Sequence, residues 1–183
     1  MPNKKQIFSS KNNIKIQLSK KDKILCAKYR KGHFEGVLNV MYRLTNLVKP
    51  TKIFMGKKDF QQLYLVKNFV ENNFNVITVG CNTVRHKNKV ALSSRNYLLT
   101  KKDLLIASKL TKKLFILKRN LKFKKNIKKF LREEHKKLES NLKIKIEYLE
   151  LRNLYNLQSS NTLEKSKLFV AYYVRDVRLI DNF

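Results

Sequence analysis

Residues 52–80 read KIFMGKKDFQQLYLVKNFVENNFNVITVG, and this stretch decides the fold. Lys52 to Met55 is short, apolar and closed by Gly56, the pattern of a buried strand. Asp59 opens a helix with Phe60, Leu63, Val66 and Val70 along one face. Asn72-Asn73 stops it, and Asn75 to Gly80 is a second strand carrying Val76, Ile77 and Val79. Upstream, Val37, Val40, Met41, Leu44, Leu47 and Val48 follow the i, i+3, i+4, i+7 rule. They predict a helix over 36–48, ended by Lys49-Pro50. Helix–strand–helix–strand with short connections implies a parallel sheet covered by helices. The strands are too few for a complete doubly wound sheet.

Outside this unit the pattern changes. Residues 1–22 are polar, and the alternation of Ile14, Ile16 and Leu18 fits an edge strand or a loose arm. Lys23 to Tyr29 is a short apolar segment, followed by a turn between Gly32 and Gly36. Residues 81–99 have loop chemistry. Thr100 with Asp103 is an N-cap pair for a helix to about Arg119. A lysine-rich helix follows near Phe123 to Asn141. Ile144, Ile146 and Tyr148 alternate on an amphipathic strand over 143–150. Strands over 167–174 and 177–181 flank a turn at Arg175-Asp176. The expected organisation is a Rossmann-like nucleotide-binding unit over 1–83 and a small α+β unit over 84–183, with the boundary near Val84. No internal repeat is visible.

The chain has 183 residues, with 42 Lys+Arg against 13 Asp+Glu, a net charge of +29 and 43% hydrophobic residues. That apolar content supports a core and excludes wholesale disorder. No apolar run reaches the ~18 residues of a membrane span, and the lysine-rich start is followed by no apolar stretch, so no secretory signal is read there. Cys26 and Cys81 are too few for a disulfide framework, which makes a cytoplasmic setting the default. The charge invites a nucleic-acid reading. However, lysine outnumbers arginine 33 to 9, while asparagine appears 19 times and alanine 4 times. This is the signature of drift toward AT-rich coding. A surface selected to grip phosphate keeps the arginine fork. The lysines between Lys101 and Lys145 are interleaved with Leu, Ile and Phe at helical spacing, as on solvated helix faces.

Two places suit anion chemistry. Gly56-Lys57-Lys58-Asp59-Phe60-Gln61-Gln62 joins a strand end to a helix start, where free N–H groups and the helix dipole favour phosphate. The same residues also fit a ligand-free capping box, with Asp59 as cap and Gln62 three residues on. Leu92-Ser93-Ser94-Arg95-Asn96 offers two hydroxyls and a guanidinium, or else a plain serine-rich turn. His33, His86 and His135 have no ligand spacing with one another or with the cysteines, so no metal site on side chains is expected. No P-loop, GxSxG or GxGxxG occurs.

Together the motifs are more specific than apart. Arg30-Lys31-Gly32-His33-Phe34-Glu35-Gly36-Val37 is followed by Gly56-Lys57-Lys58-Asp59-Phe60-Gln61-Gln62-Leu63, then by Thr83-Val84-Arg85. Ala91-Leu92-Ser93-Ser94-Arg95-Asn96-Tyr97-Leu98 and Val177-Arg178-Leu179-Ile180-Asp181-Asn182 complete the series. From about Lys28 onward this resembles pantothenate synthetase (pantoate–β-alanine ligase), of the His-x-Gly-His nucleotidyltransferase superfamily. The resemblance implies an α/β fold: a partial Rossmann-like parallel sheet followed by a small α+β lid domain. It implies two-step condensation of pantoate with β-alanine through pantoyl adenylate, with ATP as substrate and Mg2+ accompanying it. By the same resemblance Gly56, Lys57, Lys58 and Asp59 line the ATP site and Gln62 binds pantoate. Val84 contacts the adenine side, and Leu92, Ser93, Ser94 and Arg95 form a KMSKS-like clamp. Lys58 and Arg95 are the expected catalytic residues.

The departures matter too. The family's initial His-x-Gly-His segment and roughly its first third have no counterpart here. Lys57 replaces a glutamate, Lys31 and Asn82 replace prolines, and Asn88-Lys89 stands for Asp-Gly. The isolated chain is therefore expected to make little or no pantothenate, with a homodimer or a complementing N-terminal fragment open as its assembly. An inactive remnant of the enzyme is the alternative, followed by a basic nucleic-acid-binding protein.

Overall fold

The computed structural model describes residue 7 and residues 15–183. The chain divides into two units, Met1–Asn82 and Thr83–Phe183.

The first unit contains α1 (Cys26–Tyr29), α2 (His33–Val48), β1 (Lys52–Gly56), α3 (Phe60–Asn73) and β2 (Ile77–Cys81). β1 and β2 pair in parallel, with Lys52 opposite Ile77, Phe54 opposite Val79 and Gly56 opposite Cys81. This is the expected helix–strand–helix–strand order, carried by a sheet of two strands. α2 begins three residues earlier than its periodicity suggests, because Gly32 takes a left-handed φ of 76° as its N-cap. Only glycine adopts that conformation without strain. α2 and α3 pack together, with Val66 and Val70 fully buried. Gln61 Nε2 donates to the carbonyls of Asp22 (3.2 Å) and Ile24 (2.8 Å), anchoring the segment before α1. Ile16 and Leu18 lie in irregular backbone rather than an edge strand, and Ile14 falls outside the described residues.

The capping box read at Asp59 does not form. Lys57–Asp59 wind as a 3-10 turn, and Asp59 (φ −92°, ψ 57°) makes no side-chain cap bond. Its backbone has left the extended conformation from which a cap oxygen reaches the third helical amide.

The second unit contains α4 (Lys101–Asn120), α5 (Ile127–Leu142), β3 (Lys145–Asn153), β4 (Ser166–Val174) and β5 (Val177–Asn182). Thr100 and Asp103 form the expected capping box at the start of α4. The three strands make an antiparallel sheet in the order β3-β4-β5. Its core joins Leu110, Leu114 and Leu117 of α4 to Leu131 and Leu138 of α5 and to Leu168 and Val170 of β4. The strict alternation read over 143–150 breaks at a bulge between Ile146 and Tyr148. The bulge turns Glu147 toward β5, where it meets Arg178. Among the described residues, no helix is long and apolar enough to cross a membrane.

Candidate active site

In the first unit, Gly56 ends β1 and the 3-10 turn Lys57–Asp59 delivers the chain to the N-terminus of α3. Gly56 has open space where a Cβ would stand, so a ligand can approach its backbone. The two lysines differ. Lys57 lays its stem against Gly80, whose added Cβ would lie 3.1 Å from Lys57 Cε, and its Nζ donates to Asn82 Oδ1 at 3.0 Å. Lys58 keeps its ammonium at the turn, 3.4 Å from Asp59 Oδ1, with its side chain 18% exposed. Lys57 is thus engaged with the end of β2, and Lys58 stands at the helix entrance. Of the paired glutamines, Gln61 is buried in the scaffold and Gln62 is half-buried in the first turn of α3. This unit gathers Gly56, Lys57, Lys58, Asp59 and Gln62 within one strand–turn–helix.

In the second unit, Val84 and Leu92 are neighbours across a hairpin: Leu92 N donates to Val84 O at 3.0 Å, and Arg85 bridges Ala91. Both keep exposed apolar side chains, Val84 at 64% and Leu92 at 45%. The hairpin turn shows how the sequence departures are accommodated. Asn88 Oδ1 accepts from Val90 N at 3.1 Å, which an aspartate oxygen would do equally. Lys89 takes the left-handed φ of 72° that suits the family's glycine.

After the hairpin, Ser93 caps the 3-10 turn Ser94–Leu98, its Oγ accepting from Arg95 N at 3.3 Å. Asn96 is buried and donates to Ala91 O at 3.1 Å, fastening the turn to the hairpin. Arg95 Nη1 donates to the carbonyl of Arg178 at 2.7 Å. A cavity of about 580 Å³ opens beside His86, Leu92, Ser93, Ser94 and Tyr97. The cavity thus joins the hydroxyl-bearing Ser93 and Ser94 to the apolar Leu92 and Leu104, whereas Val84 and Arg95 are not part of its wall, the Arg95 guanidinium resting on the Arg178 carbonyl.

The sequence reading missed what holds this loop. Arg85 forms a two-pronged ion pair with the buried carboxylate of Asp181, at 2.6 and 2.8 Å. It also donates to the carbonyls of Lys89 and Asn182 and stacks near the rings of Phe115 and Phe183. Arg178 is fixed by Glu147, 2.6 Å away, and Glu147 also accepts from the Tyr173 hydroxyl at 2.9 Å. Burial opposes ionisation of Glu147, but these hydrogen bonds prevail and hold its carboxyl below the usual value. Burial, reinforced by the charge of Asp181, pushes the Tyr172 phenol up. The order Arg178-Leu179-Ile180-Asp181-Asn182 was visible as a motif. Its partners were not, because they lie up to 97 residues away.

The histidines occupy three separate places. His33 meets Arg30 at the start of α2, His135 lies 3.4 Å from Glu139, and His86 borders the cavity. Among the described residues, no group of three or more His, Cys, Asp or Glu is placed to hold a metal ion.

A parallel strand–turn–helix unit with a small antiparallel sheet domain after it defines an α/β fold of nucleotidyltransferase type. The chain belongs to the pantoate-beta-alanine ligase family, whose sequence model matches residues 1–183. The match extends through residues 1–27, beyond the motifs that carry the resemblance. The pantothenate synthetase of Sulfurihydrogenibium sp. (strain YO3AOP1) is 34% identical over 99% of this chain. That of Leptospira interrogans serovar Lai is 35% identical over 100%. The bifunctional pantoate ligase/cytidylate kinase of Prochlorococcus marinus (strain AS9601) is 38% identical, with 36% of its length covered. Among solved structures, pantothenate synthetase from Thermus thermophilus matches with a TM-score of 0.88 at 28% identity, covering 100% of this chain and 67% of that one. The Francisella tularensis pantoate-beta-alanine ligase, complexed with beta-gamma ATP and beta-alanine, matches with a TM-score of 0.75 at 32% identity, covering 98% of this chain and 61% of that one. The chain spans 66% and 65% of the length of the first two synthetases.

Proposed function

We propose that this chain carries the nucleotide clamp and part of the substrate site of an AMP-forming ligase that joins pantoate to β-alanine. The observation that carries the reading is the family match over residues 1–183, together with a relative crystallised with both a nucleotide and β-alanine.

In the proposed reaction a pantoate carboxylate oxygen attacks the ATP α-phosphorus, and the bond to pyrophosphate breaks. The β-alanine amine then attacks the acyl carbon of pantoyl adenylate. AMP leaves with the bonding electrons, and the nitrogen loses its proton. Negative charge grows on the α-phosphate and the departing pyrophosphate, so fixed cations and N–H groups aimed there lower the barrier. Lys58 and the open backbone at Gly56 would serve this role at the entrance of α3, with Asp59 and Lys57 lining the nucleotide site. Gln62, one turn in, would bind pantoate. Val84 and Leu92 would wall the adenine side, while the hydroxyls of Ser93 and Ser94 and the guanidinium of Arg95 close on phosphate as part of a lid. Mg2+ would accompany the nucleotide and offset the charge of its phosphates.

The test is pantoate-dependent ATP–pyrophosphate exchange, with complementation of a pantothenate auxotroph. The chain alone should give neither. Co-expressed with the third of a relative that it does not span, it should give both. Complementation by the chain alone would overturn the incompleteness of the site. No exchange from a co-purified pair would overturn the ligase reading in favour of an inactive remnant.

A further inference from the structure

A second cavity, of about 400 Å³, lies between α5 and β3. Lys128, Arg132 and His135 reach it from α5, at the i, i+4 and i+7 spacing that puts three side chains on one helix face. Leu131, Leu149 and Leu151 are buried and supply an apolar wall. Ser159 joins the lining, brought beside β3 by its antiparallel bridge to Arg152. This cavity shares no lining residue with the one beside His86 and Ser93.

Two carboxylates also line the cavity, and each has its own arginine: Glu147 is bound by Arg178 and Glu150 by Arg152. His135 lies against Glu139 at 3.4 Å. Among the described residues, Lys128 and Arg132 have no acidic partner. Both are exposed, and like charges four residues apart on a helix repel. An anion between them would relieve that repulsion. Drift toward AT-rich coding removes arginine, yet two of the chain's nine arginines, Arg132 and Arg152, line this cavity. Small-molecule sites are mostly apolar pockets in which a few placed polar groups set the orientation. Here uncompensated cations stand beside buried leucines, so a ligand is sorted by its two ends.

We propose that this cavity binds a small phosphate monoester with an apolar or aromatic body. The Arg132 guanidinium takes two phosphate oxygens and the Lys128 ammonium adds a second cation, which together match a dianion. The body lies against Leu131, Leu149 and Leu151. A bare phosphate gains nothing from the leucines, and an uncharged ring gains nothing from the cations. The cavity is separate from the clamp, so binding here stands or fails apart from the ligase reaction.

Phenyl phosphate is the probe, titrated into the full chain and followed by backbone-amide NMR. The expected result is saturable shifts at Leu131, Leu149 and Ser159. Affinity should exceed that of inorganic phosphate or phenol at least about tenfold, because burying the ring and pairing the anion each add a factor of that order. Arg132→Gln should weaken binding at least about tenfold, and Lys128→Gln should weaken it too. Lys112→Gln, at an exposed lysine of α4 outside the cavity, should change nothing. Equal binding of inorganic phosphate, or an equal loss from Lys112→Gln, would reduce the effect to general charge and overturn the proposal. Equal binding of phenol, shifts confined to Ser93–Arg95 or no binding at all would overturn it as well.

Discussion

Arg85 and Asp181, 96 residues apart in sequence, meet in a two-pronged ion pair whose side chains are 18% and 4% exposed. The pair ties the hairpin bearing Val84 and Leu92 to the last strand of the sheet. Deleting one partner of a buried pair leaves the other charge uncompensated, so Asp181→Ala should cost about 3–5 kcal/mol. Asp181→Asn should cost less, because it keeps an acceptor. Urea unfolding followed by circular dichroism measures both. A loss below about 1 kcal/mol would place the pair among weak surface bridges.

Lys89 holds a left-handed backbone at the hairpin turn, where the cost to a residue with a Cβ is about 1 kcal/mol. Lys89→Gly should therefore raise stability, minus part of that gain through the entropy of the unfolded glycine. Gly32→Ala, at φ 76°, should lower it by about the same amount. Thermal midpoints of the two variants should move in opposite directions. A shared direction would contradict the backbone assignment.

Glu147 and Asp103 both titrate below their usual values in the folded chain. For Glu147, burial is outweighed by Arg178 and Tyr173; for Asp103, the Thr100 hydroxyl is the main cause. A depressed folded value means stabilisation that is complete above the unfolded value, near pH 4, and is lost as pH falls through the folded value. Urea midpoints measured from about pH 7 down to about pH 3 should thus decline at the acid end. Glu147→Gln should decline less steeply, although it starts from a lower midpoint. Parallel acid slopes would show that Glu147 is not held low.

Lys57 and Lys58 are adjacent in sequence but differently placed, and the ligase reading separates them. In the chain reconstituted with the remaining third, Lys58→Ala should lower the rate of adenylate formation by ~10²–10³, the usual effect of losing one preorganised donor. Lys57→Ala should change it little, because Lys57 is turned toward Asn82 and the family's motif has a glutamate there. Arg95→Ala should fall between them. Single-turnover formation of pantoyl adenylate resolves the three. Equal damage from Lys57→Ala would refute the assignment of the motif.

Local signals were legible in the sequence where the physics is local. Helical periodicity placed α2 and α3 within a few residues, and Thr100 with Asp103 gave the cap of α4 because both partners lie in one turn. Asp59 misled for a related reason. A capping box depends on the backbone entering the helix, and the 3-10 turn at Lys57–Asp59 is not encoded by residue type.

By itself the sequence determined the order and type of most elements, the ordered motifs and, through them, the family. The tertiary structure alone decided that Arg85 meets Asp181, that Arg95 rests on the carbonyl of Arg178, and that a bulge turns Glu147 toward β5. It also decided which face of the β1–β2 sheet α3 covers. Periodicity reports that a residue has an apolar or polar side. Which distant residue it faces is set by strand register and helix packing, and these are fixed only when the whole core closes.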